Sequence, residues 1–147
     1  AKVHPMAPSD GPFGDDIAAA AADYARLLAS LSADGVAPEF DLHLLGMGGE
    51  GHINSLFPHA EATAETSKTV VAVTDSPKPP SRRITLTLPV VNRSRAVWFL
   101  VAGADKAEAV AAARDGADAA DCACAGAPAP AETVCFLNTA AASHLTA

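Results

Sequence analysis

The chain has 147 residues, half of them apolar, and a formal charge of −7. That length and apolar content suit one domain with a real core and set aside global disorder. The acidic balance argues against general nucleic-acid binding, and no apolar run of about 18 residues or signal-peptide pattern supports a membrane span or export.

Residues 1–14 are rich in Pro and Gly and read as a connecting segment. From Asp15 an Ala-rich helix is expected, with Ile17, Ala20, Ala21, Tyr24, Leu27, Leu28 and Leu31 on one apolar face and Gly35 and Pro38 stopping it. A strand follows at about Asp41–Met47, and its Leu-rich run bounded by Gly reads as covered on both faces. A second extended run is Thr69–Asp75. The proline-rich stretch after it turns the chain into Ile84-Thr-Leu-Thr-Leu-Pro-Val90, which alternates like a strand. Ala96–Ala102 is a continuous apolar run suited to a central strand, with Trp98 and Phe99 in the core. Gly103-Ala-Asp105 then opens a helix to about Arg114, with the Asp105 carboxylate near its positive end. Residues 115–132 read as loop, Val134–Leu137 as a last strand, and the tail as a small helix. Strands alternating with helices predict an α/β, Rossmann-like three-layer α/β/α domain around a mostly parallel sheet. The chain opens Ala-Lys-Val-His-Pro without an initiator Met, and is expected to be a piece of something longer.

Three cysteines, Cys122, Cys124 and Cys135, make an odd count. The Cys122-x-Cys124 spacing is not a zinc pattern and no His stands at ligand spacing, so reduced thiols in a cytoplasmic protein are expected and no metal.

The segment Asp41–His59 carries the chemistry. A strand runs into a glycine-rich loop that holds Glu50 and His52. In open α/β sheets the crevice beyond the carboxyl ends of the strands is where ligands bind. Glycines such as Gly48 and Gly51 let the backbone approach a ligand closely. An imidazole with an ordinary pKa near 6.5 is available there as a general base, and Glu50, two residues earlier, is placed to orient it by accepting its other N–H. His4, His43, His59 and His144 read as structural or exposed. Between Lys68 and Lys106 seven cations face only Asp75 and Asp105, an excess of five positive charges inside an acidic chain. Such a cluster fits either a solvated basic face or a site for a small anion such as phosphate.

Leu45, Gly46, Gly48, Glu50, Gly51 and His52, followed by Ser55-Leu56-Phe57-Pro58, resemble the signature of the 6-phosphogluconolactonase family, whose fold and site are shared with glucosamine-6-phosphate deaminases. The blocks Asp75–Thr87 and Gly103–Val110 are similar to two further family blocks. The deaminase branch has Ala-Phe-Asn-Glu-Pro where Ser55–Pro58 stand, so the lactonase branch fits better. The resemblance implies hydrolysis of 6-phosphoglucono-δ-lactone to 6-phosphogluconate in the pentose phosphate pathway, with no cofactor. His52 and Glu50 would be catalytic. Gly48, Gly51, Lys78, Arg83 and Lys106 would bind a sugar-phosphate lactone, while Arg82, Arg93 and Arg95 would be surface residues. It also implies that 1–147 is a single domain forming the C-terminal part of a family member. The family's Gly-Gly-Ser/Thr phosphate loop and its Asp-Glu-Arg motif do not occur in this sequence. Gly49 replaces the Pro or other residue usual there, and Cys135–Thr139 departs from the family's tail. An amino-sugar-phosphate isomerase/deaminase and a non-catalytic fragment retaining only the fold are the alternatives. Oligomeric state is left open.

Overall fold

In the computed structural model, which describes residues 2–146, strands β1 (Leu42–Leu45), β4 (Ala96–Val101) and β5 (Glu132–Leu137) form a parallel sheet. β4 lies in the middle, as its unbroken apolar run predicts. Leu42 pairs with Ala96 and Leu45 with Phe99 on one side; Ala96 pairs with Glu132 and Val101 with Leu137 on the other. Two further strands, β2 (Val70–Val73) and β3 (Arg83–Leu86), form a separate antiparallel pair. The helices are α1 (Ile17–Ser30), α2 (Leu88–Asn92) and α3 (Ala107–Arg114).

Helix α1 begins where Asp16 accepts a hydrogen bond from the Ala19 N–H at 2.9 Å, a side-chain cap on an otherwise orphaned donor. Its apolar face, with Ala21 and Leu28, buries against Val70 and Val90, so it covers the β2–β3 pair. The main core lies under the parallel sheet. Leu45, Val97, Phe99 and Val101 point down from β1 and β4 onto Ile53, Leu56, Leu88, Val91 and Val110. Burying each such side chain contributes about 1.5–3 kcal/mol, so the loop that carries Ile53 and Leu56 is held by the core itself.

Three sequence expectations change. The alternation at Ile84-Leu86-Leu88 does not continue as a strand. It stops at Leu86, and Leu88–Asn92 is a helix with Pro89 in its first turn and Val90 and Val91 buried. Proline's missing N–H and fixed φ suit a helix start, and in a strand they would remove a ladder bond. The small C-terminal helix is instead a run of turns. Asn138 Oδ1 accepts both the Gly103 N–H at 3.2 Å and the Ala141 N–H at 2.9 Å, tying the tail to the end of β4. The strand at Leu42–Leu45 is covered on one face only. Leu44, Leu100 and Phe136, neighbours on the far face, are 60%, 56% and 48% exposed. The helix expected from Gly103 forms, with a 3-10 turn at Ala104–Lys106 before α3. All three cysteines are free thiols, and no helix among the described residues is long and apolar enough to cross a membrane.

Candidate active site

β1 and β4 are parallel neighbours, so the loops leaving their carboxyl ends meet. Gly49 stands so close to the turn after β4 that a Cβ there would lie 2.9 Å from the Asp105 carbonyl oxygen. The loop after β1 is folded on itself by bonds from Gly48 N–H to His52 O (2.9 Å) and from Gly51 N–H to Gly48 O (3.0 Å). Gly51 takes φ +82°, a left-handed value that favours glycine. Its carbonyl accepts the Cys124 N–H at 3.1 Å, and a Cβ at this position would meet Cys122 Sγ at 2.5 Å. Gly48 lies against the imidazole, where an added Cβ would come 2.0 Å from His52 Nδ1 and 2.7 Å from Glu50 Oε2. These contacts explain why side chains are absent at 48 and 51.

The His52 ring is 17% exposed. Phe57 stacks on it with centroids 4.3 Å apart at 28°, and the Arg83 guanidinium lies 5.7 Å from the Phe57 centroid. Arg83 is pinned in place. Its Nε donates to Pro80 O at 2.8 Å, and its terminal nitrogens donate to Lys78 O (2.8 Å), Pro79 O (3.2 Å) and Ser55 Oγ (3.4 Å). The proline loop and the His52 loop are thereby joined, and a second tie runs from Ser55 N–H to the buried Thr85 Oγ1 at 3.1 Å.

Glu50 Oε2 accepts Lys78 Nζ at 2.8 Å and lies 3.3 Å from His52 Nδ1. The second contact is close without being a directed hydrogen bond, and Nδ1 is buried without a partner. Nε2 is the ring nitrogen left to face solvent. Burial pushes the Glu50 carboxyl up, but the Lys78 hydrogen bond, a backbone N–H and the imidazole outweigh it and hold it at about 2. Burial lowers the His52 pKa; Glu50 opposes this, while the charges of Lys78 and Arg83 add to it. The result is a neutral imidazole beside an ionised carboxylate at neutral pH. Across the Gly49 contact, Lys106 Nζ pairs with Asp105 Oδ2 at 2.8 Å. That hydrogen bond is the main cause of the lowered Asp105 pKa, with the charge of Lys78 a minor one.

The structure brings Gly48, Glu50, Gly51, His52, Lys78 and Arg83 together and sets Lys106 beside them through the Gly49–Asp105 contact. It leaves Arg82 on Asp15 O, Arg93 on Asp34 and Arg95 near Asp41, all away from the site. His43 sits half-buried against Ser94, and His59 pairs with Asp121. Sequence reasoning did not foresee the Phe57 stack, the Thr85 tie or Asp105 as the partner of Lys106. The Ser-Leu-Phe-Pro block was a signal for the first of these, since a conspicuous aromatic five residues after a base is placed to reach it. Two concavities lie apart from the site. One is an open groove of about 920 Å³ between α1 and residues 59–75, and the other is an apolar hollow of about 390 Å³ between β5 and α3. Neither touches Glu50, His52, Lys78 or Arg83, and neither carries a paired acid and base, so the chemistry points to the His52 loop.

The family model described as glucosamine-6-phosphate isomerases/6-phosphogluconolactonase matches residues 1–139. The 6-phosphogluconolactonase of Mycobacterium tuberculosis is 59% identical over 145 residues, which cover 98% of this chain and 59% of that protein. That of Streptomyces coelicolor is 50% identical over 147 residues, covering 98% and 56%. The chain thus spans about three-fifths of the length of these curated relatives. Among solved structures, 6-phosphogluconolactonase from Trypanosoma brucei superposes with a TM-score of 0.72 at 30% identity, covering 87% of this chain and 53% of that one.

Proposed function

The chain belongs to the glucosamine-6-phosphate isomerase/6-phosphogluconolactonase family, and from that premise we propose that it carries the base-bearing part of a hydrolase opening 6-phosphoglucono-δ-lactone. The observation that supports this best is the neutral, partly buried His52 set between an ionised Glu50 and the cations Lys78 and Arg83. A δ-lactone is an activated ester, so its opening needs a base for water and stabilisation of an oxyanion. His52 Nε2 takes a proton from water as the water oxygen bonds to the lactone carbonyl. The tetrahedral oxyanion then collapses, the ring C–O bond breaks, and the leaving alkoxide takes the proton back from the imidazolium. The products are a carboxylic acid and a free hydroxyl. A positioned general base contributes roughly 10²–10⁴ in rate. Lys78 and Arg83, with Lys106 beside them, supply the positive charge for the substrate's phosphate. Gly48 and Gly51 let the loop backbone approach the sugar. A cytoplasmic, pentose-phosphate role follows from the substrate, and residues 1–147 act as one domain, the C-terminal part of the family fold.

His52→Ala should abolish lactone hydrolysis above the spontaneous rate while leaving the melting temperature near that of the parent. Parental turnover in that variant would refute the base assignment. A second reading, a segment that retains the fold without turnover, is favoured by the span of three-fifths of the relatives' length. A rise in melting temperature on adding 6-phosphogluconate supports a working site, since a ligand stabilises the state that binds it. No rise favours the second reading. The deaminase reading predicts ammonia release from glucosamine 6-phosphate.

A further inference from the structure

Glu50 meets two neighbours with one oxygen. Oε2 accepts a directed hydrogen bond from Lys78 at 2.8 Å, while His52 Nδ1, 3.3 Å away, is buried with no partner. A buried imidazole nitrogen without a partner is an exception that calls for a cause, and here the cause is competition. The lysine takes the shorter, directed bond to the carboxylate, and the imidazole is left with a 3.3 Å contact outside hydrogen-bonding geometry.

Of the two cations near His52, only one has freedom to leave. Arg83 is held by Lys78, Pro79 and Pro80 carbonyls and Ser55 Oγ. Lys78 has a fixed root and a free tip. Its carbonyl accepts from Ser76 Oγ and Arg83, whereas its side chain is 48% exposed and bonds to Glu50 alone. An ammonium on a flexible four-carbon stem is a mobile point charge. A phosphate ester, with more charge and three acceptor oxygens, competes for it more strongly than a carboxylate.

We propose that Lys78 selects phosphorylated lactones by acting as a latch on the base: while bound to Glu50 it keeps the carboxylate from a directed hydrogen bond with the imidazole, and an arriving phosphate ester draws the ammonium away so that Glu50 Oε2 closes on His52 Nδ1–H. The proposal rests on the reading of His52 as base and Lys78 as phosphate contact. The charged groups facing the ring are Glu50, Lys78 and Arg83, and Asp105 faces Lys78 from the turn after β4. When Lys78 departs, a cation that opposes protonation moves off and an acceptor that favours it moves in. The imidazole becomes the stronger base only when phosphate is present. An unphosphorylated sugar lactone then occupies the site without completing it, so discrimination falls on kcat more than on KM.

The test is a double-mutant cycle read by the ring nitrogen resonances of His52 through a pH titration of the protein, its E50Q and K78M variants, and the double variant. With Glu50 present, removing Lys78 should raise the imidazole's proton affinity about tenfold; in the E50Q background the rise should be a small fraction of that. Adding inorganic phosphate should raise it in the parent but scarcely in E50Q, which keeps Lys78. In turnover, inorganic phosphate should accelerate opening of glucono-δ-lactone by the parent and leave E50Q unaffected. Equal rises in both backgrounds would mean that Lys78 acts through its field alone, and no rise on K78M would mean that it holds nothing back. Either result overturns the latch. Failure of the hydrolase reading looks different, because His52→Ala then opens 6-phosphoglucono-δ-lactone as fast as the parent, whatever the titrations give.

Discussion

A single methyl group at residue 48 should disable the site with little effect on the rest of the molecule. The Cβ of Gly48→Ala would lie 2.0 Å from His52 Nδ1, 2.2 Å from Cε1 and 2.7 Å from Glu50 Oε2, where ordinary contact begins at 3.4 Å. The imidazole must therefore retreat by about 1.4 Å. It has nowhere to go, because Phe57 stands on its face and the Gly48–His52 backbone bond ties the loop. Misplacing a reacting group by about 1 Å costs on the order of 10²-fold in rate, so kcat should fall at least that far. The overpacking should cost about 1–3 kcal/mol of stability. Two neighbouring glycines serve as controls. A Cβ at Gly46 meets nothing within 4 Å, so Gly46→Ala should leave both rate and melting temperature unchanged. Gly51→Ala meets Cys122 Sγ at 2.5 Å and also forces a side chain to φ +82°. The left-handed backbone adds about 1–2 kcal/mol to the overpacking, so Gly51→Ala should lose stability first and activity with it. Initial rates of lactone opening and thermal unfolding of the three variants decide the matter. A Gly48→Ala protein that keeps its parent's kcat would refute the placement of the imidazole.

The pH profile of kcat/KM, which reports the free enzyme, should show one acid limb, because His52 must be neutral to accept a proton and burial holds its pKa below the ordinary 6.5. Activity is then full above that pKa and lost as pH falls through it, while Glu50, held at about 2, stays ionised throughout; a midpoint above 7 would contradict the assignment. Arg83→Lys cannot reproduce a planar fork that reaches three carbonyls and Ser55 Oγ, and KM for the phosphorylated lactone should rise by about tenfold. Thr85→Val leaves the Ser55 N–H without its acceptor, and urea unfolding should register a loss of about 1–3 kcal/mol.

Much of the scaffold was legible because hydrophobic runs report burial. Ala96–Val101, apolar at every position, is the middle strand, and the apolar stripe of Ile17–Ser30 is a helix. Periodicity misled where two patterns coincide. Ile84, Leu86 and Leu88 keep a period of two, yet Pro89 turns the chain into a helix so that Val90 and Val91 can be buried. The tail was expected to be a small helix, but the Asn138 side chain holds it in a turn. At the site, the acid, the base and the cations could be named from residue type and the family blocks. Which cation is fixed and which is free could not, because that depends on the carbonyls of Lys78, Pro79 and Pro80 converging on Arg83. The exposed far face at Leu44, Leu100 and Phe136 was likewise invisible, since apolar runs do not say which face a neighbour covers.

The register of the parallel sheet sets a schedule for how this molecule comes into being. Leu42 finds its ladder partner at Ala96 and Leu45 at Phe99, so the strand bearing the glycine loop stays unmatched until more than fifty further residues have been polymerised. Contacts between such distant positions slow acquisition of the native state. On the ribosome, His52 is therefore made well before the strand that its own strand pairs with. The rate at which enzymatic competence appears after dilution from denaturant should follow β1–β4 pairing and lag behind the coiling of α1.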